Sequence, residues 1–531
     1  MYRPVMAVTG AVVLWCLAAC DTGTNSAGSD GQVVDGATFT MVLAADPGTL
    51  DPDATTLAGA YQTDRFLYDS LTNVDPQGRV VAGLAGAWKG TTTEATFTLR
   101  KGVTCSDGSA LRASTVADNI NHAGDPENAS TRLSLYVPAG AKAVADDTAG
   151  TVTVTSPVPD AFLTRNVGGL HIVCDKGLKN RKLLKSGAVG TGMYRMTEAV
   201  PGDHYTLTRR KEYAWGPGAW KKNQPGLPDK VVLRIVANET TAANLLTSGA
   251  VNASMVTGPD QDRLRQAKLF RRDNSAPLGE LWFNQKSGQP ASDGATRRSL
   301  AQALNLQEIG RVVSGGKGAP PTGLVSGKGP CTQNTVGKDL SGLPAHDPAA
   351  AKKALDGAGW RAGPGGVRTK DGHRLSLTFV YPTSLGATMR SGAELIQKQW
   401  AAIGVGTSLR GVTDTELSQQ VISGQGSWDA AVLPLTLSLP SQAVPFLSGP
   451  TPPKGGNYAH IDNGTYDAAV AEAAKTAGSA GCKEWARAER ALFERADVVP
   501  FVNASNPFFG QRAVFELSES SLIPSSVRMK G

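Results

Sequence analysis

The sequence predicts an α/β protein built from more than one lobe. Strand and helix patterns alternate along residues 374–432, and 531 residues are too many for one ordinary core. Sixty-one glycines and 31 prolines fit many loops between short elements. A β-α-β-α-β order builds an open sheet whose parallel strands are joined by helices.

The elements follow in order. Thr38 to Ala44 reads as a strand and runs into "ADPGTLDPDATT", where Asp46, Asp51 and Asp53, with Asp64 beyond, crowd around Pro47 and Pro52. Residues 60–71 read as a helix, with Leu67 and Leu71 four apart. "ATFTLR", "TVTVTS" and "YTLTRR" alternate apolar with polar residues, as half-buried strands do. A glycine-rich turn, "GAVGTGMY", spans Gly187 to Tyr194, and "KVVLRIV" at 230–236 is apolar enough for a central strand. "TTAANLLTSG" then reads as a helix stopped by Gly249.

In the second half, Asp347-Pro348 supplies a cap and a first-turn proline for "AAAKKALDGAGW". "RLSLTFVY" at 374–381 is a strand. Met389, Ala393, Ile396, Trp400 and Ile403 then recur at helical spacing up to Gly404. "VGTSLRG" reads as a strand, Thr413 and Glu416 form a capping box, and "SWDAAVLPL" is the next strand. Helices at about 465–477 and 481–496 precede "VVPFVNA", read as the final strand.

The first residues are of a different kind. Arg3 precedes an apolar run, Val5 to Ala19, too short to span a bilayer stably but shaped like a secretory signal. It ends in Leu17-Ala18-Ala19-Cys20, which resembles a bacterial lipobox, so lipidation is expected at Cys20 after removal of 1–19. Residues 20–36 are expected to form a flexible tether. The expected location is the outer face of the bacterial cytoplasmic membrane, lipid-anchored. Export permits disulfides. Four cysteines remain and allow three pairings, of which Cys105–Cys174 with Cys331–Cys482 keeps each bridge within one lobe.

Catalytic chemistry finds little support. The six histidines are scattered, with no HExxH or HxH spacing, and no Cys/His cluster suggests zinc. There is no G-x-S-x-G elbow and no GxxxxGK[ST]. The aspartates do not follow a calcium-loop spacing, because prolines interrupt them and no glutamate closes the loop. Asp-Pro pairs initiate turns, so the stretch reads as a stiff turn with Asp51 bracing it. The net charge of +7 is spread in singles and pairs, so no nucleic-acid partner is expected. No enzymatic activity, metal or cofactor is expected.

Several stretches together resemble the family 5 solute-binding proteins of ABC importers, the dipeptide/oligopeptide-binding class. They include Pro47-Gly48-Thr49-Leu50-Asp51-Pro52, "LYDSLTNVDPQGRVVAGLAGAW", "TFTLRKGVTCSDGSALRASTVADNI", "VGTGMYRM", "LWFNQ", "DPAAAKKALDGAGW" and "AELIQKQWAAIGV", in collinear order from residue 38 to 503. The resemblance implies a two-lobed, type II periplasmic-binding-protein-like fold that closes by hinge motion. Lobe I would comprise 37–277 and 498–531, with an inserted subdomain near 76–185, and lobe II would comprise 278–497. A monomer is implied that captures a peptide or peptide-like solute in an interlobe cleft and delivers it to the permease and ATPase subunits of an ABC importer. Ligand contacts are expected from Thr49, Leu50, Met193 and Tyr194 in lobe I. Trp282, Asn284, Tyr381, Leu435 and Thr436 are expected to supply them from lobe II.

One departure bears on the ligand. Peptide-binding relatives use a lobe II aspartate for the ammonium terminus, after the strand that corresponds to "SWDAAVLPL". Residues 430–446 contain no acid here. That favours a non-peptide solute, such as an oligosaccharide, a metal chelate or a secondary metabolite, over a plain dipeptide. A lipid-anchored sensor or enzyme is the remaining alternative.

Overall fold

The structure is a computed structural model that describes residues 31–332 and 342–531. The signal segment, Cys20 and most of the expected tether lie outside the described residues. The chain forms two lobes, each around its own mixed sheet.

Lobe I is built on seven strands, in the order Phe270–Arg272, Phe508–Gly510, Ala253–Met255, Thr38–Leu43, Lys230–Ile235, His204–Arg209 and Tyr194–Val200. Thr38–Leu43 runs parallel to Lys230–Ile235, from Thr38 opposite Lys230 to Leu43 opposite Ile235. The 230–235 strand is central by position, yet only Val231 and Leu233 are fully buried while Lys230 faces solvent. Its antiparallel neighbour at 204–209 makes this half of the sheet one-sided, so it alternates as such strands do. A four-stranded antiparallel sheet (Ala85–Gly90, Glu94–Leu99, Thr151–Thr155, Lys142–Asp146) packs under helix Ala113–Gly124 and forms the inserted subdomain.

Lobe II holds five strands, ordered Gly406–Val412, Ser376–Pro382, Ala430–Val432, Ser275–Phe283 and Val498–Ser505. The first three are parallel, and helix Gly386–Ala402 joins two of them as the alternating pattern predicts. Trp400 is the centre of this core: its ring meets Phe379 edge-on at 5.4 Å, and its indole N–H donates to Leu300 O at 3.0 Å. That donation satisfies the one polar atom of a fully buried tryptophan.

Four expectations are corrected. The strand in "SWDAAVLPL" stops at Val432, because Pro434 cannot donate to a ladder and the chain leaves the sheet there. Val498–Ser505 belongs to the lobe II sheet rather than to lobe I, paired antiparallel with Ser275–Phe283 from Ser275–Ser505 to Trp282–Val498. The chain therefore crosses between lobes beside Asn274 and Asn506, which are themselves joined by a 2.7 Å backbone bond. "VVPFVNA" is also not the last strand, since short strands follow up to Arg528–Met529. Finally, the tether does not extend to residue 36. Val33 bridges to Lys530, Val34 N–H donates to Met529 O and Gly36 N–H to Leu227 O, so these residues are fixed along lobe I.

Cys105 is bonded to Cys174 in the subdomain, with Cα atoms 6.2 Å apart. Cys331 is bonded to Cys482 in lobe II at 5.1 Å.

Candidate functional site: a cavity between the lobes

The lobes touch along a seam of both apolar and polar contacts. Ala161 and Phe162 of lobe I pack with Leu439, Ala473 and Trp485 of lobe II, the Phe162 and Trp485 rings 6.2 Å apart. Asn166 Nδ2 donates to Ser441 Oγ at 3.1 Å, Gly478 N–H to Ala161 O at 2.7 Å, and Lys328 Nζ to Pro76 O at 2.7 Å. Beside the seam lies a narrow cavity, partly open to solvent. An adjoining compartment shares Arg65, Ser70, Asn73 and His171 with it.

Helix Ala58–Leu67 supplies one wall. Its buried face, including Phe66 and Leu67, enters the lobe I core, while Tyr61 and Arg65, one turn apart, both face the cavity. The Arg65 guanidinium donates to Ser518 O at 2.8 Å and to Ser518 Oγ at 2.9 Å. Ser518 opens a tight turn in which Glu519 and Ser520 both have positive φ, 47° and 65°, and this turn brings Glu519 to the cavity. Arg165 donates to Gly78 O at 3.1 Å and sits 3.7 Å from the Glu519 carboxylate, but its Nε has no partner.

His171 stacks on Tyr61 at 5.4 Å. Burial, reinforced by the charges of Arg132 and Arg65, pushes its pKa down to about 3, so the ring is neutral. Tyr136 completes the aromatic side, with Arg132 stacked 5.5 Å from its ring, and burial raises its phenol above the usual value. Lobe II contributes Leu439 and the Gln442 amide. A Ser70–His171 combination in the cavity is chemically weak, because Ser70 Oγ donates to Thr72 O at 2.6 Å and His171 is a poor base. The cavity thus presents guanidinium, amide and aromatic groups side by side.

The expected contacts are distributed otherwise. Met193 borders the adjoining compartment. Leu50 and Tyr194 are buried in the lobe I core, and the Tyr194 hydroxyl donates to Pro228 O. Thr49 is half-buried and accepts from Asp51 N–H at 3.2 Å. Trp282 is buried against Tyr458 and donates to Leu433 O at 2.8 Å. Asn284 donates to Trp428 O, and Tyr381 lies in the lobe II core. Leu435 is half-buried and Thr436 exposed, on the segment that leads to Leu439. Tyr61, Arg65, Tyr136, Arg165, His171 and Glu519 were not anticipated. Only the helical spacing of Tyr61 and Arg65 offered a signal for any of them.

The aspartate-rich stretch is braced from behind. Arg181 donates to both Asp51 and Asp53, at 2.8 Å to Asp53 Oδ2, and Arg132 Nε donates to Pro52 O at 2.6 Å. Burial opposes the Arg181 charge, but its hydrogen bond to Asp51 and the field of Asp53 outweigh that and hold its pKa above the usual value. In lobe II, a carboxyl does reach the acid-free segment, from another strand: Glu280 Oε2 accepts from Leu435 N–H at 2.8 Å. Glu280 is almost fully buried, which pushes its pKa up to about 8. Glu489, raised to about 7 by burial, accepts from Leu324 N–H in the neighbouring loop. Among the described residues, no group of three or more His, Cys, Asp or Glu is arranged to hold a metal ion.

The model of the bacterial extracellular solute-binding proteins, family 5, matches residues 79–458. The chain belongs to this family. Relatives of this family 5 chain include Protein XP55 of Streptomyces lividans, 27% identical over 397 residues, which cover 72% of this chain and 68% of that protein. The glutathione-binding protein GsiB of Shigella flexneri is 25% identical over 432 residues, 80% of this chain and 77% of its own. Among solved structures, a substrate-binding protein from Microbacterium hydrocarbonoxydans complexed with 4-hydroxybenzoate hydrazide superposes with a TM-score of 0.77 at 26% identity, over 93% of this chain and 100% of that one. The oligopeptide-binding protein AppA of Bacillus subtilis, in complex with a nonapeptide, gives 0.79 at 19% identity, over 94% and 100%. The family 5 fold is the two-lobed, type II periplasmic binding fold, and GsiB, the Microbacterium protein and AppA are binding proteins by name.

Proposed function

We propose that this family 5 protein captures a small peptide or peptide-like solute between its lobes, outside the cytoplasm, and delivers it to an ABC permease with its ATPase. The observation that carries the reading is the cavity whose walls come from both lobes, Tyr61 and His171 on one side and Leu439 and Gln442 on the other. A solute there would tie lobe closure to occupancy, which is the signal a permease can read. GsiB and AppA, by name and complex, bind glutathione and a peptide, which supports the peptide-like reading.

A non-peptide solute is the second reading, favoured by the lack of any acid in 430–446 and by Glu280 being committed to Leu435 N–H. The Microbacterium relative in complex with an aryl hydrazide is consistent with it. Met193, beside the adjoining compartment, and Leu435 and Thr436, on the segment that leads to Leu439, are assigned as solute contacts. Leu50, Tyr194, Trp282, Asn284 and Tyr381 are assigned to the packing of the two lobes, with Thr49 in the opening loop. Lipidation at Cys20, signal cleavage before it, a monomeric state and attachment to the outer face of the membrane complete the proposal.

A thermal-shift screen of di- to hexapeptides beside glycans and metal chelates tests it, with tryptophan fluorescence reporting closure. Peptides that raise the melting temperature support the first reading; a response to glycans or chelates alone supports the second. Mass spectrometry of the membrane fraction should show a lipidated Cys20, lost in Cys20→Ala.

A further inference from the structure

We infer that the interlobe cavity selects solutes carrying an anionic group on a flat aromatic or amide body, and disfavours those with a free ammonium; this rests on the reading that the cavity is the solute site. Two arginines face the cavity, and Arg65 has no carboxylate within ion-pair distance among the described residues. Its guanidinium is fixed by Ser518, so its orientation costs little on binding, and a guanidinium suits a carboxylate geometrically. Arg165 shares one acid, Glu519, and keeps a buried Nε–H without a partner. His171 adds no charge but offers a ring stacked on Tyr61, and Tyr136 adds a further ring to the same cavity. A flat body laid on these rings would direct its anionic end to the guanidiniums.

A cation finds little to pair with. The lobe II lining is Leu439 and Gln442, and Glu280 lies buried under its loop, bonded to Leu435 N–H. Asp69, in the adjoining compartment, already accepts from the Tyr213 hydroxyl at 3.0 Å and Trp215 Nε1 at 2.9 Å, with Arg210 stacked on Trp215. Glu519 is left, and it stands beside Arg165.

Matched probes test the inference on the full mature protein by calorimetry and tryptophan fluorescence. They are N-acetyl-phenylalanine, its amide and phenylalanine amide, with the corresponding benzoylglycine and acetyl-dipeptide sets. The acid of a set should bind at least ~10-fold more tightly than its neutral amide, and the cation most weakly. High salt should narrow the difference. Glu519→Gln should tighten the acids ~3-fold or more, whereas Arg65→Gln should remove the preference. Arg65 also braces Ser518, so Arg165→Gln serves as a second variant that leaves that brace intact. Equal binding of acid and amide, or preference for the cation, overturns the inference and leaves the cavity as the solute site. Silence from every probe, neutral ones included, overturns the reading of the cavity itself.

Discussion

Two groups of buried acids are held in different ways. In lobe I, Asp51 and Asp53 share Arg181, with Arg132 bonded to the intervening backbone, so a guanidinium ties two carboxyls together and fixes a loop, although burial raises the pKa of Asp53. In lobe II, Glu280 and Glu489 have no cation within ion-pair distance among the described residues and accept from the backbone N–H groups of Leu435 and Leu324. Each raises the pKa of its carboxyl by burial, and the charge of Glu489 adds to the effect on Glu280. A dense run of aspartates thus proves to be scaffold, while a lone glutamate in a strand organises the segment nearest the cavity. The number of acids in a stretch says little; the cations opposite them decide what they do.

Removing the cation should have the largest effect. Arg181→Met leaves Asp51 and Asp53 facing each other, and urea denaturation at neutral pH should show a loss of about 3 kcal/mol. A loss under ~1 kcal/mol would mean that the loop holds without its brace.

Glu280→Gln should act in the other direction. The folded pKa of about 8 lies above the unfolded value, so stability is fully present in acid and declines as pH rises toward 8. The glutamine keeps an acceptor for Leu435 N–H but needs no proton. It should gain about 2 kcal/mol over wild type at pH near 8 and nothing near pH 4, read from melting curves across pH.

Asp64 tests whether lobe I contains an acid of the second kind. It is fully buried, neither carboxylate oxygen has a hydrogen-bond partner, and burial raises its pKa well above the usual value. Asp64→Asn should therefore be neutral or stabilising by about 1 kcal/mol at neutral pH, despite lying within the braced region. A loss comparable to that of Arg181→Met would place Asp64 in the charged network instead.

The smallest effect is expected at Asp46. Burial opposes its charge, but N–H groups of Gly202 and Gly48 and the Tyr205 hydroxyl outweigh that and lower its pKa. Its contribution is present above the unfolded pKa and lost as pH falls through the folded one. Asp46→Asn should cost about 1 kcal/mol at neutral pH, with the difference shrinking in acid.

Local order was legible in the sequence, and convergence across the chain was not. The capping box of Thr413 and Glu416 is present as its spacing implies, because both partners lie within one turn. So is the helix carrying Met389, Ile396 and Trp400, whose period states which face is buried. The family resemblance marked Trp282 and Tyr194 by their position, but position along the chain could not tell a core-facing aromatic from a solute-facing one. The cavity draws on Tyr61, His171, Gln442 and Glu519, which no local pattern links. Glu519 depends on two successive left-handed residues, neither of them the glycine that would have announced the turn. Glu280 sits in an apolar strand, where its distance from 430–446 hid the acid that reaches that loop.

The pairing of residues 32–36 with the end of the chain has a mechanical consequence. Val33 and Val34 run beside Met529 and Lys530, and Gly531 N–H donates to Gln32 O at 2.9 Å. Any pull on the chain ahead of residue 31 is therefore borne by lobe I, in shear across those backbone bonds. Lobe II hangs from the adjacent crossings at Asn274 and Asn506 and carries none of that load.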